Sequence, residues 1–130
     1  MPAAIQKNTF SKEERLCSRK EIDRLFENGI SAVSSPLRLL YIERNELPDV
    51  PAKTMFVVPK RSFRKAHDRN RLRRRMREAF RQNKHALYEL LRQNGKNLSI
   101  ALLYNSKKEK EYSSIEQATG KLLQHLCGLL

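Results

Sequence analysis

The sequence predicts a single α+β domain, a two-layer sandwich in which helices cover a small sheet in the order α-β-β-α-β-α. Short runs rich in Leu, Ile, Val and Tyr, each of strand length, alternate with longer segments whose apolar residues recur at helical spacing. No internal repeat and no low-complexity linker divides the 130 residues. A chain of this length is typical of one domain rather than two.

The first element is predicted to be a helix that ends at Glu27. Ser18 or Ser11 is the candidate N-cap, because a serine hydroxyl can accept a hydrogen bond from the first turn. The buried face follows i, i+3, i+4 spacing and consists of Ile22, Leu25 and Phe26. Gly29 can take a left-handed cap and stops the helix. Residues 1–10 are expected to form a flexible tail.

Three strands are predicted. Residues 37–43 are rich in Leu, Ile and Tyr and form the first strand, and residues 53–59 form a second strand antiparallel to it. Residues 45–51 between them are predicted to be a loop, since two prolines cannot sit inside a strand ladder. Residues 97–105 form the third strand.

The last element is predicted to be a helix that begins near residue 113. Ser113 and Ser114 precede Glu116, an arrangement that predicts a capping box. The core-facing positions of this helix are Ile115, Leu122, Leu123, Leu126, Leu129 and Leu130.

Positive charge dominates the composition. The chain has 27 lysines and arginines against 14 acidic residues, a net charge of +13. Residues 60–84 hold twelve of these cations, opposed only by Asp68 and Glu78. So large a charge destabilises a small compact domain by self-repulsion, so a polyanionic partner is expected. Its concentration on one element indicates a docking surface for nucleic acid.

Most of these cations belong to a long helix predicted over residues 69–93, with Asp68 as its N-cap and Gly95 just beyond its end. At 100° per residue the apolar residues share one face, which consists of Leu72, Met76, Ala79, Phe80, Leu87, Leu90 and Leu91. The arginines occupy much of the remaining circumference, where planar guanidinium groups can grip phosphates and stack on bases.

The sequence has no recognisable catalytic or metal-binding motif. Cys17 and Cys127 lie near opposite ends; they are expected to be reduced thiols, although a bridge between them stays possible. Asp68 and Glu78 are expected to be a cap and a local ion-pair partner rather than a magnesium pair. Three scattered histidines are predicted to be surface or packing residues, namely His67, His85 and His125. No stretch has the ~20 apolar residues of a membrane span, so a soluble cytoplasmic protein without a small-molecule substrate is expected.

Residues 69–81 read RNRLRRRMREAFR and resemble the signature helix of the bacterial ribonuclease P protein family. That signature is an RNR triplet followed by further basic residues and an R-E-A-F-like ending. Flanking segments agree with the family in order and distance: residues 14–16, 22–29, 39–41 and 57–61. The resemblance covers roughly Glu14 to Tyr104.

The resemblance implies a ribosomal protein S5 domain 2-like fold with a left-handed βαβ crossover, although most such crossovers are right-handed. It also implies a protein subunit of the endoribonuclease that matures the 5′ end of precursor tRNA. The basic helix would bind the catalytic RNA through Arg69, Asn70, Arg71, Arg73, Arg74, Arg77 and Arg81. A cleft between the first helix and the sheet would hold the single-stranded 5′ leader through Phe26, Tyr41, Lys60, Arg61 and Ile22, by stacking within a basic groove.

The resemblance further implies that the RNA subunit performs catalysis and holds the required Mg²⁺, while the protein alone binds no cofactor. Two features depart from the family. Ile22 stands where a second aromatic residue is common. The turn over residues 62–67 is one residue longer than usual and lacks its glycine, so Phe63 is a candidate packing or stacking residue.

The residues alone leave other functions open. A ribosomal or general RNA-binding protein would share the basic helix but lack a leader cleft. A DNA-binding protein would place the helix in a major groove, although the arginines are spread widely around it. A nuclease with its own active site would need clustered carboxylates, which the sequence lacks.

Overall fold

Strands and helices follow one another largely as the sequence predicts. The structure, a computed structural model, describes residues 10–44 and 50–130. The predicted tail over residues 1–10 and the predicted loop over residues 45–51 therefore lie mainly outside the described residues. A 3₁₀ helix over Lys12–Glu14 is followed by α1 (Arg19–Asn28), β1 (Ile30–Ser34), β2 (Leu37–Arg44), β3 (Ala52–Val57), α2 (Ala66–Asn83), α3 (His85–Asn94), β4 (Asn97–Tyr104) and α4 (Tyr112–Leu129).

The strands form one mixed sheet in the order β1-β2-β4-β3. β4 is antiparallel to β2 and parallel to β3. β2 and β3 therefore run in opposite directions, as expected, but β4 lies between them. β4 is a central strand with helices packed on both faces of the sheet, so it is buried along nearly all of its length, which accounts for its near-continuous apolar sequence.

The α+β fold class is confirmed, with helices packed on a small sheet. β3, α2, α3 and β4 form a parallel crossover unit. Helices α2, α3 and α4 share a large core with one face of the sheet. Helix α1 lies on the other face, where Leu25 is buried against Ala101. Within residues 10–44 and 50–130, no helix is both long and apolar enough to cross a membrane.

β1 is an additional strand that the sequence analysis missed. It pairs only with β2 and forms the edge of the sheet. Its residues, ISAVS, lack a buried alternation, and Ile30 and Val33 are more than half exposed. An edge strand of this kind gives little hydrophobic signal, because its pairing rather than its burial defines it.

The long helix predicted over residues 69–93 is divided into α2 and α3 at Lys84. The side-chain amide of Asn83 donates to the Ala79 carbonyl at 2.7 Å, which satisfies one of the carbonyl groups at the end of α2. Lys84 is buried, and its ammonium group pairs with the buried carboxylate of Glu14. The helix therefore breaks at the residue whose ammonium group is buried in the protein interior.

Two of the predicted helix caps are wrong. α2 begins at Ala66 after Lys65, so Asp68 lies within its first turn rather than at its cap. α4 begins at Tyr112 after Glu111, so the predicted capping box at Ser113 and Ser114 is absent. Both helices begin before the polar residues that the sequence analysis selected as their N-caps.

The other cap predictions are closer to the structure. Ser18 caps α1, one of the two serines proposed, and Gly95 follows the end of α3 as predicted, in a left-handed conformation with φ +63°. Gly29 instead has an extended backbone. A Cβ atom there would lie 2.3 Å from the Leu25 carbonyl oxygen. Glycine is therefore needed for this close approach and not for a left-handed turn.

Candidate nucleic-acid interface

Helix α2 separates its apolar and basic residues as the sequence predicts. Leu72, Met76, Ala79 and Phe80 are completely buried against the sheet and α4 side of the protein. Arg71, Arg74 and Arg77 are exposed, and four further arginines are half-buried. We call these seven residues the basic face of α2: Arg69, Arg71, Arg73, Arg74, Arg75, Arg77 and Arg81.

The first arginine of the motif has a structural contact. Arg69 Nη1 donates to the carbonyl oxygens of Phe63 and Arg64 at 2.8 and 2.9 Å. These bonds fasten the preceding turn to the start of α2. Asn70 accepts a hydrogen bond from Arg73, so it orients a neighbouring arginine on the helix surface.

Carboxylates of the same chain engage part of the basic face. Arg71 contacts Glu109 through two nitrogens, at 2.9 and 2.7 Å, and also binds Asp68 at 2.7 Å. Arg75 lies 3.1 Å from Glu109. The hydrogen bond from Arg71 lowers the pKa of the Glu109 carboxyl and raises the pKa of the Arg71 guanidinium.

The far end of α2 contains a similar local pair. Arg81 binds Glu78, with Nε at 3.0 Å from one carboxylate oxygen. Gln82 donates to the same carboxylate at 2.8 Å. The hydrogen bond from Arg81 lowers the pKa of Glu78. Glu78 thus acts as the local ion-pair partner that the sequence predicts.

Arg74 and Arg77 remain available at the centre of the basic face. Both are exposed, and neither meets a carboxylate among the residues that the structure describes. Exposed guanidinium groups of this kind can bind successive phosphates without first breaking an internal ion pair. The centre of α2 therefore carries two arginines that have no carboxylate partner among the described residues. The arginines on either side of them are held by Glu109 and Glu78.

The turn before α2 adds further cations. Ser62 and Phe63 donate their backbone N–H groups to the Pro59 carbonyl, which forms a tight turn after β3. Lys60 and Arg61 are exposed on this turn. Phe63 is 9% exposed, and its ring packs edge-on against Tyr104 at 5.5 Å between centroids. Of the two roles considered for Phe63, the structure supports packing.

The predicted leader residues do not all lie on one side of the sheet. Ile22 packs beneath α1 against the cluster of Leu25 and Ala101. Phe26, also on α1, is 47% exposed, so it is not part of the buried helix face that the spacing predicted. We call the sheet face beneath this helix the α1 face.

Tyr41 does not lie on the α1 face, where the expected cleft would place it. Its neighbours Leu40 and Ile42 pack with the α1 cluster, whereas Tyr41 packs with the core of the opposite face. This follows from strand alternation, which turns successive side chains to opposite faces. Tyr41 lines an open cavity of about 430 Å³ near Ile30 and Leu129.

Two residues of the α1 face were not selected from the sequence. Arg38 alternates with Leu37 and Leu39, so it shares the side of Leu40. It is paired with Val33 of β1, which is 57% exposed. The alternation within residues 37–42 contains the signal for Arg38, whereas Val33 required knowledge of the β1 pairing.

Other candidate chemical groups are dispersed. His67 lies 3.3 Å from Asp68 with its side chain 70% exposed. Cys17 and Cys127 are free thiols, and burial raises the pKa of Cys127. Across the described parts of the chain, no three His, Cys, Asp or Glu residues are grouped so that they could hold a metal ion.

Comparison with known proteins gives one family. Residues 10–127 match the family described as Ribonuclease P. The chain is 36% identical over 119 residues to a protein of Porphyromonas gingivalis named Ribonuclease P protein component, a match that covers 92% of this chain and 87% of that protein.

Two solved structures have the same fold. The RNase P protein of Staphylococcus aureus superimposes with a TM-score of 0.71 at 17% identity, over 88% of this chain and 96% of that one. The RNase P protein of Thermotoga maritima gives a TM-score of 0.68 at 23% identity, over 86% of this chain and 96% of that one.

Proposed function

The chain belongs to the ribonuclease P protein family and is a protein component of ribonuclease P, and we propose that it docks the catalytic RNA on the basic face of α2. The observation that carries this proposal is the unpaired state of Arg74 and Arg77 within the described chain. They lie in a 25-residue segment that contains twelve of the chain's cations. Phosphate binding at these positions would release counterions from the RNA and relieve the protein's own charge repulsion.

We assign cleavage of the phosphodiester bond to the RNA subunit, with the required Mg²⁺ held by that RNA. The protein would contribute positive charge where two polyanions, the catalytic RNA and precursor tRNA, must approach each other. Cations placed there reduce the repulsion between the two sets of phosphates. The benefit should be greatest at low Mg²⁺, where fewer free cations perform this screening.

We further propose that the 5′ leader of precursor tRNA follows the α1 face. Phe26 offers a half-exposed ring on α1, the helix that covers this face, and an exposed aromatic ring can stack on an unpaired base. Arg38 supplies a cation on the same face, with its Nε donating to Ser31 at 3.1 Å. We also propose that the protein acts in the cytoplasm. The free thiols of Cys17 and Cys127 support this, because the cytoplasm is a reducing compartment.

Reconstitution tests the proposed function. The purified chain is mixed with a bacterial ribonuclease P RNA and precursor tRNA at low Mg²⁺, and release of the 5′ leader is measured. We expect stimulation over the RNA alone, and loss of that stimulation in Arg74→Glu/Arg77→Glu. A control with charge reversal at Lys20 and Lys96, both outside α2, should retain most of the effect. Stimulation that survives reversal of Arg74 and Arg77 would remove the basis for docking on α2.

Phe26→Ala tests the leader assignment. Because loss of a base–aromatic stack costs about 1–2 kcal/mol, the assembled enzyme should bind precursor tRNA roughly five- to thirtyfold more weakly. Binding of tRNA without a leader should be unchanged. Leu129→Ala is the matched control, because Leu129 is similarly exposed (55%) but lies on α4. Equal weakening for both substrates would contradict the leader assignment.

A further inference from the structure

We propose that the loop over residues 105–111, between β4 and α4, is a second RNA-docking element. In this element Lys107 and Lys108 bind phosphates of the same catalytic RNA that α2 binds. The inference rests on the proposed function of α2, and it extends the interface to a segment outside the signature helix. Four structural observations support it, concerning the loop's backbone, its attachment to α2, its free cations and its side of the sheet.

The loop is fixed by a buried hydroxyl group. Tyr104 is 2% exposed, and its hydroxyl donates to the Lys108 carbonyl and accepts from the Lys110 N–H at 2.8 Å. The Lys108 N–H in turn donates to the Ser106 hydroxyl at 3.2 Å. The backbone on both sides of Glu109 is therefore held by specific hydrogen bonds, so the loop presents its lysines from a preformed conformation.

Glu109 attaches this loop to the basic face of α2. Its carboxylate accepts two hydrogen bonds from Arg71 and lies 3.1 Å from Arg75. Arg75 also donates to the Lys110 carbonyl at 2.8 Å. One carboxylate thus spans two successive turns of α2. The loop lies along the helix and does not project away from it.

The cations that remain are positioned beside those of α2. Lys107 and Lys108 are exposed, and neither has a carboxylate partner in the part of the chain that the structure describes. Contact between Phe63 and Tyr104 places the turn that carries Lys60 and Arg61 at the same end of the sheet. The loop and the first half of α2, connected through Glu109, therefore form one basic surface, which suits a polyanion with many phosphates.

The position of the loop favours the catalytic RNA over precursor tRNA. Glu109 connects the loop directly to α2, the helix assigned to the catalytic RNA. The loop continues into α4, which packs with α2 on one side of the sheet, whereas α1 packs on the other. A leader that follows the α1 face would thus lie across the sheet from this helical layer.

Lys107→Ala/Lys108→Ala tests the inference by titration of the protein with ribonuclease P RNA at several salt concentrations. We expect Kd to rise about five- to twentyfold, from two exposed charge contacts. The slope of log K against log salt should become shallower by roughly 1.5. Lys20→Ala/Lys96→Ala removes the same charge elsewhere and should change Kd by less than about twofold.

Two further measurements separate the possible failures. If the loop variant binds the RNA as tightly as the unmodified protein while Arg74→Ala/Arg77→Ala binds more weakly, the loop inference fails and docking on α2 stands. If neither variant is weakened, both fail. If the loop variant binds the catalytic RNA normally but its assembled complex binds precursor tRNA more weakly, the loop contacts the substrate, and the inference is overturned.

Discussion

Arg74→Ala/Arg77→Ala is expected to raise the Kd for the catalytic RNA roughly 30-fold at moderate salt. The two guanidinium groups are exposed and lack carboxylate partners within residues 10–44 and 50–130, so removing them loses phosphate contacts without freeing an internal acid. About 1 kcal/mol for each exposed charge contact gives about 2 kcal/mol for the pair. Loss of two contacts should also reduce the dependence of log K on log salt by roughly 1.5.

The comparison that isolates this effect is Arg71→Ala. Arg71 is also exposed on α2, but it already binds Glu109 and Asp68. Its removal leaves Glu109 paired with Arg75 and takes one cation from the surface, so the loss of affinity should be smaller. The Arg74→Ala/Arg77→Ala protein should be at least as stable as the unmodified protein in urea unfolding, because the substitutions break no ion pair among the described residues and reduce charge repulsion. Arg74→Ala alone removes the same single charge as Arg71→Ala, and equal losses of affinity for these two proteins would show that net charge, and not the absence of an internal partner, determines RNA binding.

The sequence predicted the parts of this fold that depend on local pattern. Short runs of apolar and β-favouring residues located β2, β3 and β4, and helical periodicity placed Leu72, Met76 and Phe80 on the buried face of α2. The break between α2 and α3 could not be predicted this way. It coincides with a contact between Lys84 and Glu14, which are 70 residues apart, and periodicity contains no information about so distant a partner.

The candidate site was predictable to a similar extent. The arginines of α2 are concentrated in sequence, so their common surface was visible without a structure. Which of them are already paired depends on Glu109, which reaches α2 from a loop 38 residues beyond Arg71. The face of the sheet on which Tyr41 lies depends on the alternation of side chains along β2. The family resemblance gave no information about this face. A motif match thus indicated the candidate interface, while tertiary contacts determined which of its side chains lack a carboxylate partner among the described residues.

Glu14→Ala is expected to have the largest effect on stability, a loss of about 3–5 kcal/mol in the free energy of unfolding. Glu14 is 4% exposed and Lys84 is 3% exposed, so the substitution leaves a buried ammonium group without its carboxylate. The carboxylate also accepts hydrogen bonds from the Tyr88 hydroxyl at 2.7 Å and the Ser11 N–H at 2.6 Å. These contacts hold the 3₁₀ helix against the junction of α2 and α3.

The pH dependence of unfolding provides a second measurement. Burial alone would raise the pKa of Glu14, but hydrogen bonds from Lys84, Ser11 and Tyr88 outweigh it, and the net pKa is lowered. A lowered pKa in the folded state contributes stability above the ordinary glutamate pKa of about 4.3, and this stability is lost as the pH falls through the folded value. The unmodified protein should therefore lose stability in acid more steeply than Glu14→Gln.

Glu13→Ala is the matched control for this ion pair. Glu13 is the exposed neighbour of Glu14 in the same 3₁₀ helix, so its removal should change the unfolding free energy by less than about 0.5 kcal/mol. Glu14→Met/Lys84→Met removes both charges and should be more stable than Glu14→Ala, because no ion is left buried alone. Equal stability of the Glu13 and Glu14 variants would mean that the ion pair between Glu14 and Lys84 contributes nothing to the stability of the junction between α2 and α3. In that case the break at Lys84 would need another cause.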